Sequence, residues 1–256
     1  MNSRHEMILE ELTKAGSVTV TRLAEKLNVS TVTIRKDLST LEKKNKLYRS
    51  HGKAILMDPY TANKHINDKE LLAIPEKTAI GKVAAGIIRP NDTIIIGSGT
   101  TTHTFAQQID LQSVLTVITS ALKVSTTLSL HPHCDIIQLG GGLRHTSLSV
   151  VGTEAISALE NYSCSKLFLG VDGLDLDFGL TTTNAQEAIL NRKMIEASQK
   201  IIVLCDSSKF GRRGFSKICN LSDVDHIITD NRIKEKTAAA LMDMGIEMTI
   251  VEVPED

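Results

Sequence analysis

The 256-residue sequence has no tryptophan, and aromatic residues make up only 3% of it. It contains no low-complexity tract. It has no apolar run long enough to span a membrane, so no membrane helix is expected. Its four cysteines, Cys134, Cys164, Cys205 and Cys219, show no C-x-x-C spacing. That excludes the usual zinc frameworks and leaves isolated thiols suited to a reducing cytosol. His131 and His133 flank Pro132 with no third ligand near in sequence, so no metal or other cofactor is expected. The opening MNSRHEMILEEL is too charged for a signal peptide, which points to a cytoplasmic chain. No strong charge of one sign is present overall, since the formal net charge is -1. Divided, however, residues 1–57 hold 11 Lys or Arg against 6 Asp or Glu, and residues 58–256 hold 18 against 24. A small basic module joined to a mildly acidic body fits a nucleic-acid reader attached to a domain with another task.

The basic module centres on Val29 to Leu56. Ser30 stands where a helix N-cap is wanted, with Thr31 and Thr33 in the first turn. Ile34, Leu38 and Leu41 follow at i, i+4 and i+7, the apolar face of a helix. The opposite face carries Val32, Lys36, Ser39, Thr40 and Lys43, flanked by Thr33 and Arg35. Short hydroxyl and methyl side chains let such a helix approach base edges, and Arg and Lys reach guanine or phosphate. Leu47-Tyr48-Arg49 and Ala54-Ile55-Leu56 can pair around Ser50-His51-Gly52-Lys53 as a basic hairpin. Upstream, Ser3 to Lys14 reads as a first helix with Met7, Ile8, Leu9 and Leu12 inward, ended by Gly16. Thr21 to Leu27 reads as a second helix, and Asn28-Val29 as the tight turn into the third. Three helices and a hairpin make a winged helix-turn-helix. The expected DNA contacts are Ser30, Thr31, Val32, Thr33, Arg35, Lys36 and Ser39 on the helix, and Arg49, His51 and Lys53 on the wing.

The stretch GSVTVTRLAEKLNVSTVTIRKDLSTLEKKNKLYRSHGKA resembles the N-terminal signature of the DeoR family of bacterial repressors. Two positions depart from the pattern. Asn45 stands where Gly is usual, and Asn tolerates the same left-handed backbone. Lys53 stands where a second Gly is usual, which adds a possible phosphate contact and alters the wing.

Residues 58–74 are polar with little periodicity and read as a linker. From Pro75 helical and apolar segments alternate. PEKTAIGKVAAGIIRP reads as a helix with Ile80, Val83, Ala84, Ile87 and Ile88 inward. TIII, LTVITS, CDIIQLGGG, KLFLGVDG, KIIVLCDSS, DHIITD and EMTIVEV read as buried strands. Continuous apolar strands spaced by helices indicate a mainly parallel sheet covered on both faces, with ligands at the carboxyl ends of its strands. LFLGVDGLDLDFGLTTTNAQEAILNRKM and DSSKFGR resemble the sensor domain of the same family, nearest to regulators of amino-sugar operons. The resemblance implies an α/β fold related to ribose-5-phosphate isomerase and glucosamine-6-phosphate deaminase, and a phosphorylated sugar as effector.

The polar loops at the strand ends supply candidates for that site. Gly97-Ser98-Gly99-Thr100-Thr101 offers open backbone N–H groups, hydroxyls and a helix N-terminus to an anion. The same pattern also fits a plain strand-to-helix turn, and the family's usual Asp is Gly97 here. Gly141 and Arg144, in and after the Gly140–Gly142 triplet, suit a phosphate. Asp172 and Glu187 suit sugar hydroxyls. Asp172 and Asp175 resemble the isomerase's aspartate pair, but the Lys-Gly-Gly segment that follows the pair there is Gly179-Leu180-Thr181-Thr182-Thr183 here. Asp175 and Asp177 read as solvated loop residues. Lys209 suits a phosphate, a pair with Asp172, or bare surface. The effector set is therefore Ser98, Gly99, Thr100, Thr101, Gly141, Arg144, Asp172, Glu187 and Lys209. The expected protein is a repressor: residues 1–57 bind double-stranded operator DNA, and residues 75–256 bind a sugar phosphate and form a homo-oligomer, dimer or tetramer. The alternative is a sugar-phosphate isomerase or deaminase fused to a DNA-binding module.

Overall fold

The computed structural model describes residues 3–15, 17–43, 46–50, 53–56, 65–110 and 114–254. The chain divides into two compact units, 1–62 and 63–256.

In the first unit the apolar spacing read above becomes α1 (Ser3–Ala15), α2 (Val20–Lys26) and α3 (Thr31–Lys43). Ile8, Leu12, Leu23, Ile34, Leu38 and Leu41 are fully buried in one core. Each contributes about 1.5–3 kcal/mol relative to exposure. Met7, expected inward, is 44% exposed, because the stripe that packs runs through Ile8 and Leu12. Asn28 turns the chain between α2 and α3 with φ of +50°, a conformation Asn tolerates. Strands β1 (Ser17–Thr19), β2 (Leu47–Ser50) and β3 (Lys53–Leu56) form an antiparallel sheet in the order β1-β3-β2. Leu47 pairs with Leu56 as expected, and the strands run one pair further than expected, to Ser50 with Lys53. Gly16, Asn45, His51 and Gly52 lie outside the described residues.

The second unit begins earlier than the linker expectation of 58–74 allowed. Ile66–Glu70 forms a short helix, α4, that belongs to this unit. Residues 57–64 lie outside the described residues. Then come α5 (Ile74–Ala85), β4 (Thr93–Ile96), α6 (Thr100–Gln107), β5 (Leu115–Thr119), α7 (Leu122–Leu128) and β6 (Cys134–Gln138). In α5, Ile80 and Ala84 are buried, but Val83, expected inward, is 38% exposed. β7 (Gly142–Arg144) and β8 (Ser149–Val151) pair with each other, followed by α8 (Thr153–Leu159) and β9 (Cys164–Gly170). β10 (Gly173–Asp175), β11 (Gly179–Thr182), α9 (Ala185–Glu196), β12 (Ser198–Leu204), β13 (Ser216–Cys219), β14 (His226–Asp230), α10 (Glu235–Asp243) and β15 (Glu247–Val251) complete it.

The seven apolar runs form one seven-stranded parallel sheet in the order β15-β14-β12-β9-β4-β5-β6. Leu167 and Leu169 pack into one core with α8, α9 and α10, while Phe168 packs into the other with α5, α6 and α7. Burial on both faces is why the central strands β4, β5, β9 and β14 read as apolar runs. From β4 the chain moves outward through β5 and β6, returns to β9 on the other side of β4, and moves outward again through β12, β14 and β15. The direction of winding therefore reverses at the β4/β9 seam, the position at which doubly wound sheets take their ligands.

Candidate functional site

The seam brings two turns together. Gly97 follows β4 and its N–H donates to Phe168 O at 2.9 Å. A Cβ on Gly170, at the end of β9, would stand 3.3 Å from Ser98 O and 4.0 Å from Gly99 Cα. Gly99 has φ of +142° and caps α6 without a side-chain bond, so the first-turn amides remain open, as at any helix start. Thr100 and Thr101 are buried at this turn.

Asp172 follows β9. The β10–β11 hairpin folds back beside it, with Asp172 N–H donating to Thr181 O at 3.0 Å. This return puts Thr182 Oγ1, Thr183 N and Thr183 Oγ1 at 3.0, 3.0 and 3.2 Å from Asp172 Oδ2. Asn184 then caps α9 by accepting from Glu187 N at 3.0 Å, which presents Glu187 in the first turn. Thr182 Oγ1 also lies 3.3 Å from Glu187 Oε2, so both carboxylates are within reach of one hydroxyl, whose single proton serves one of them at a time. The β7–β8 pair brings in Arg144, whose Nη1 is 2.6 Å from Glu187 Oε1. Gly141 has φ of +133°, and a Cβ there would meet Val151 O at 2.5 Å. That gives it a structural reason to be glycine.

Two lysines from segments outside the expected set complete the cluster. Lys69, on α4, donates to Asp172 Oδ1 at 2.8 Å. Lys77, on α5, is 4% exposed and donates to Lys69 O at 2.5 Å, a neutral acceptor. Burial alone would raise the Asp172 carboxyl, but the Lys69 charge and hydrogen bond, with Lys209 and the Thr183 amide, hold it well below the usual carboxylate range. Burial pushes the Lys77 ammonium down to about 8, against the attraction of Asp206. Asp206 follows β12. Burial opposes its ionisation, and Lys209, Ser208 and Lys77 overcome that to lower its pKa. Burial lowers Arg212, with Asp206 opposing.

Of the residues expected from the sequence, Ser98, Gly99, Thr100 and Thr101 stand at the turn after β4, and Asp172 follows β9 with Glu187 and Arg144 linked to it. Lys209 does not pair with Asp172. Its Nζ is 3.8 Å from Asp206 Oδ2, while its charge still acts on Asp172. Asp175 is no solvated loop residue, because it accepts from Asp177 N, Phe178 N and Arg213 Nη2 at 3.1, 2.9 and 2.8 Å and ties the hairpin. Asp177 is exposed, as expected. Lys69, Lys77, Thr182, Thr183, Asp206 and Arg212 lay outside the expected set. Lys77 had a signal, since it shares the inward stripe of α5 with Ile80 and Ala84 and a charge there needs a reason. A five-residue helix such as α4 is too short to show a period.

In the first unit Ser30 caps α3, accepting from Thr33 N at 3.1 Å and lying 2.9 Å from Thr33 Oγ1. Those two hydroxyls are engaged with each other. Val32, Arg35 and Lys36 are exposed and Thr31 and Ser39 half-buried, on the face away from the core. Arg49 is tied to α3 instead of open, with Nε 2.7 Å from Glu42 Oε2 and its amide 2.9 Å from Glu42 Oε1. His51 lies outside the described residues, and of Lys53 only the backbone is placed. Asp37, on the buried side of α3, accepts from Arg4 Nε at 2.5 Å and Nη2 at 2.9 Å, locking α1 to α3.

A winged helix whose third helix turns a polar face outward, carried on an α/β unit with a charged cluster at its winding switch, is the construction of a ligand-responsive DNA-binding transcriptional regulator. The chain belongs to the DeoR family: the DeoR-like helix-turn-helix domain matches residues 4–59, and the DeoR C-terminal sensor domain matches residues 73–231. It is 37% identical over 252 residues to a candidate transcriptional repressor of the aga operon from Escherichia coli O157:H7, covering 98% of this chain and 94% of that one. It is 36% identical to the regulator YulB of Bacillus subtilis strain 168, covering 97% and 96%. A solved ribose-5-phosphate isomerase from Methanocaldococcus jannaschii superposes with a TM-score of 0.40 at 14% identity, over 52% of this chain and 53% of that one, a likeness too weak to reason from.

Proposed function

We propose that the protein represses a sugar-metabolism operon and that a phosphorylated sugar, bound at the β4/β9 seam, controls its hold on operator DNA. One observation carries the effector reading. The seam gathers Lys69, Lys77, Arg144, Lys209 and Arg212 near Asp172, Glu187 and Asp206, beside the open start of α6. Lys77 is buried there with the neutral Lys69 carbonyl as its acceptor, and a phosphate monoester, with roughly two negative charges at neutral pH, suits such a cation beside a helix start. The α6 amides and Lys77 serve the phosphate, with Lys209 and Arg212 adding charge, and Asp172 and Glu187 serve hydroxyls. A relative named for the aga operon supports a sugar operon as target.

On the DNA side, Thr31, Val32, Arg35, Lys36 and Ser39 face the major groove. Ser30 and Arg49 position the helix and the wing, and Lys53 adds a phosphate contact. The protein acts in the cytoplasm as a homo-oligomer on repeated half-sites, the usual arrangement for such readers. The enzyme alternative is disfavoured, because a carboxylate held as firmly ionised as Asp172 is a weak proton acceptor for isomerisation. The test selects an operator from a random duplex pool, then measures its binding with glucose 6-phosphate, fructose 6-phosphate or glucosamine 6-phosphate and with the same sugars unphosphorylated. The expected result is a shift in operator affinity with a phosphorylated sugar only. Equal effects of both forms, or turnover of the sugar phosphate, defeat the proposal.

A further inference from the structure

In sequence, α4 follows the wing and precedes the strands of the main sheet, with nine residues between Leu56, which ends β3, and Ile66. Its one buried apolar side chain is Ile66, and the following Leu71 is 75% exposed. Polar contacts hold it instead. Ile66 N donates to Thr146 O at 2.7 Å, on the turn between β7 and β8. Glu70 lies 3.1 Å from His103 Nδ1 on α6 and 2.6 Å from Lys123 Nζ on α7, and Lys123 also donates to Asn67 at 3.2 Å. The remaining two holds are site residues: Asp172 takes Lys69 Nζ, and Lys77 Nζ takes the Lys69 carbonyl.

Thr182 Oγ1, Thr183 N and Thr183 Oγ1 meet Asp172 Oδ2, and Lys69 meets Oδ1. A ligand hydroxyl that takes Oδ1 competes with Lys69, the donor that comes from a separate short helix. Lys77 stands in the same position at the other end of a ligand, since a phosphate would draw its ammonium from the Lys69 carbonyl.

We propose that α4 is a latch on this site: Lys69 holds α4 on Asp172, and a polyol phosphate that takes over Asp172 and Lys77 releases α4. The inference rests on the effector reading above and deepens it. An effector shifts an equilibrium only by binding two states differently. Here the two states differ in whether Asp172 and Lys77 hold α4 or the ligand. α4 is also the sensor segment nearest in sequence to the wing, so its release is positioned to reach the DNA-binding unit.

The test uses the full chain as wild type, Lys69→Met and Lys69→Arg. Backbone hydrogen exchange over residues 66–72 is measured without ligand, and operator affinity at fixed salt with and without the three sugar phosphates named above. Lys69→Met is expected to exchange faster by about tenfold or more in this segment. Its operator affinity without ligand should equal that of wild type saturated with the active sugar phosphate, and should no longer respond. Lys69→Arg should restore protection and response. Unchanged exchange in Lys69→Met overturns the latch, as does a Lys69→Met protein with wild-type operator affinity and full response. A wild type that none of the three sugar phosphates shifts defeats the effector reading and the latch with it. A responsive wild type with unchanged exchange in Lys69→Met defeats the latch alone.

Discussion

Arg35 and Lys36 are exposed on α3 while Ile34 and Leu38 beside them are fully buried. Removing either basic side chain should therefore leave folding intact. Arg35→Ala and Lys36→Ala are each expected to weaken operator binding by about 1–3 kcal/mol where they reach bases, and less where they touch phosphate only. Titrations at one salt concentration check this, and unchanged affinity in both variants removes α3 from the interface. His103 offers a pH test. Burial lowers its pKa from 6.5, with Glu70 opposing. A base depressed in the folded state leaves stability intact above its unfolded value and erodes it as pH falls from about 6.5 toward the lower folded value. Denaturation of wild type should show that acid leg, and His103→Gln should flatten it. Both exposed basic residues were legible in the sequence, because an outward helical position follows from spacing alone. The engagement of Arg49 with Glu42 was not, because it depends on where the wing lands against α3.

At the scale of elements, α3 owes its place to an apolar stripe, so truncating the centre of that stripe tests it. Leu38→Ala should destabilise the first unit by about 2–5 kcal/mol, read by thermal or chemical denaturation. At α6, Thr100→Val with Thr101→Val keeps the side-chain shape and removes two hydroxyls. This variant should still bind operator and lose its response to sugar phosphate, while Lys209→Ala weakens the response less. Loss of operator binding in the double variant would show that the hydroxyls support the fold instead. The seven strands of the main sheet were all legible as short apolar runs, the central ones because a strand covered on both faces is mostly apolar. The β10–β11 hairpin, the β7–β8 pair and α4 were not. They are three to five residues long and gain their stability from the sheet ends they cap.

For the whole molecule, the two units predict separable behaviour. Proteolysis is expected between residues 57 and 64, releasing a folded fragment that retains α4 and still binds a sugar phosphate. A fragment starting at residue 75 should fold but lack Lys69, the donor to Asp172. Calorimetric titration of the two fragments compares them, and an unfolded longer fragment would refute the division into units. By itself the sequence determined the winged helix, the parallel sheet, the basic-to-acidic division and the candidate residues at the strand ends. Those features rest on local periodicity, capping and composition, which act over a few residues at a time. Only the tertiary structure decided that the winding reverses at the β4/β9 seam, and that Arg144 meets Glu187 and Lys69 meets Asp172 across 43 and 103 positions of chain. Such pairings depend on which strands become neighbours. That is set by the packing of the whole sheet and leaves no periodic trace in the residues that eventually touch.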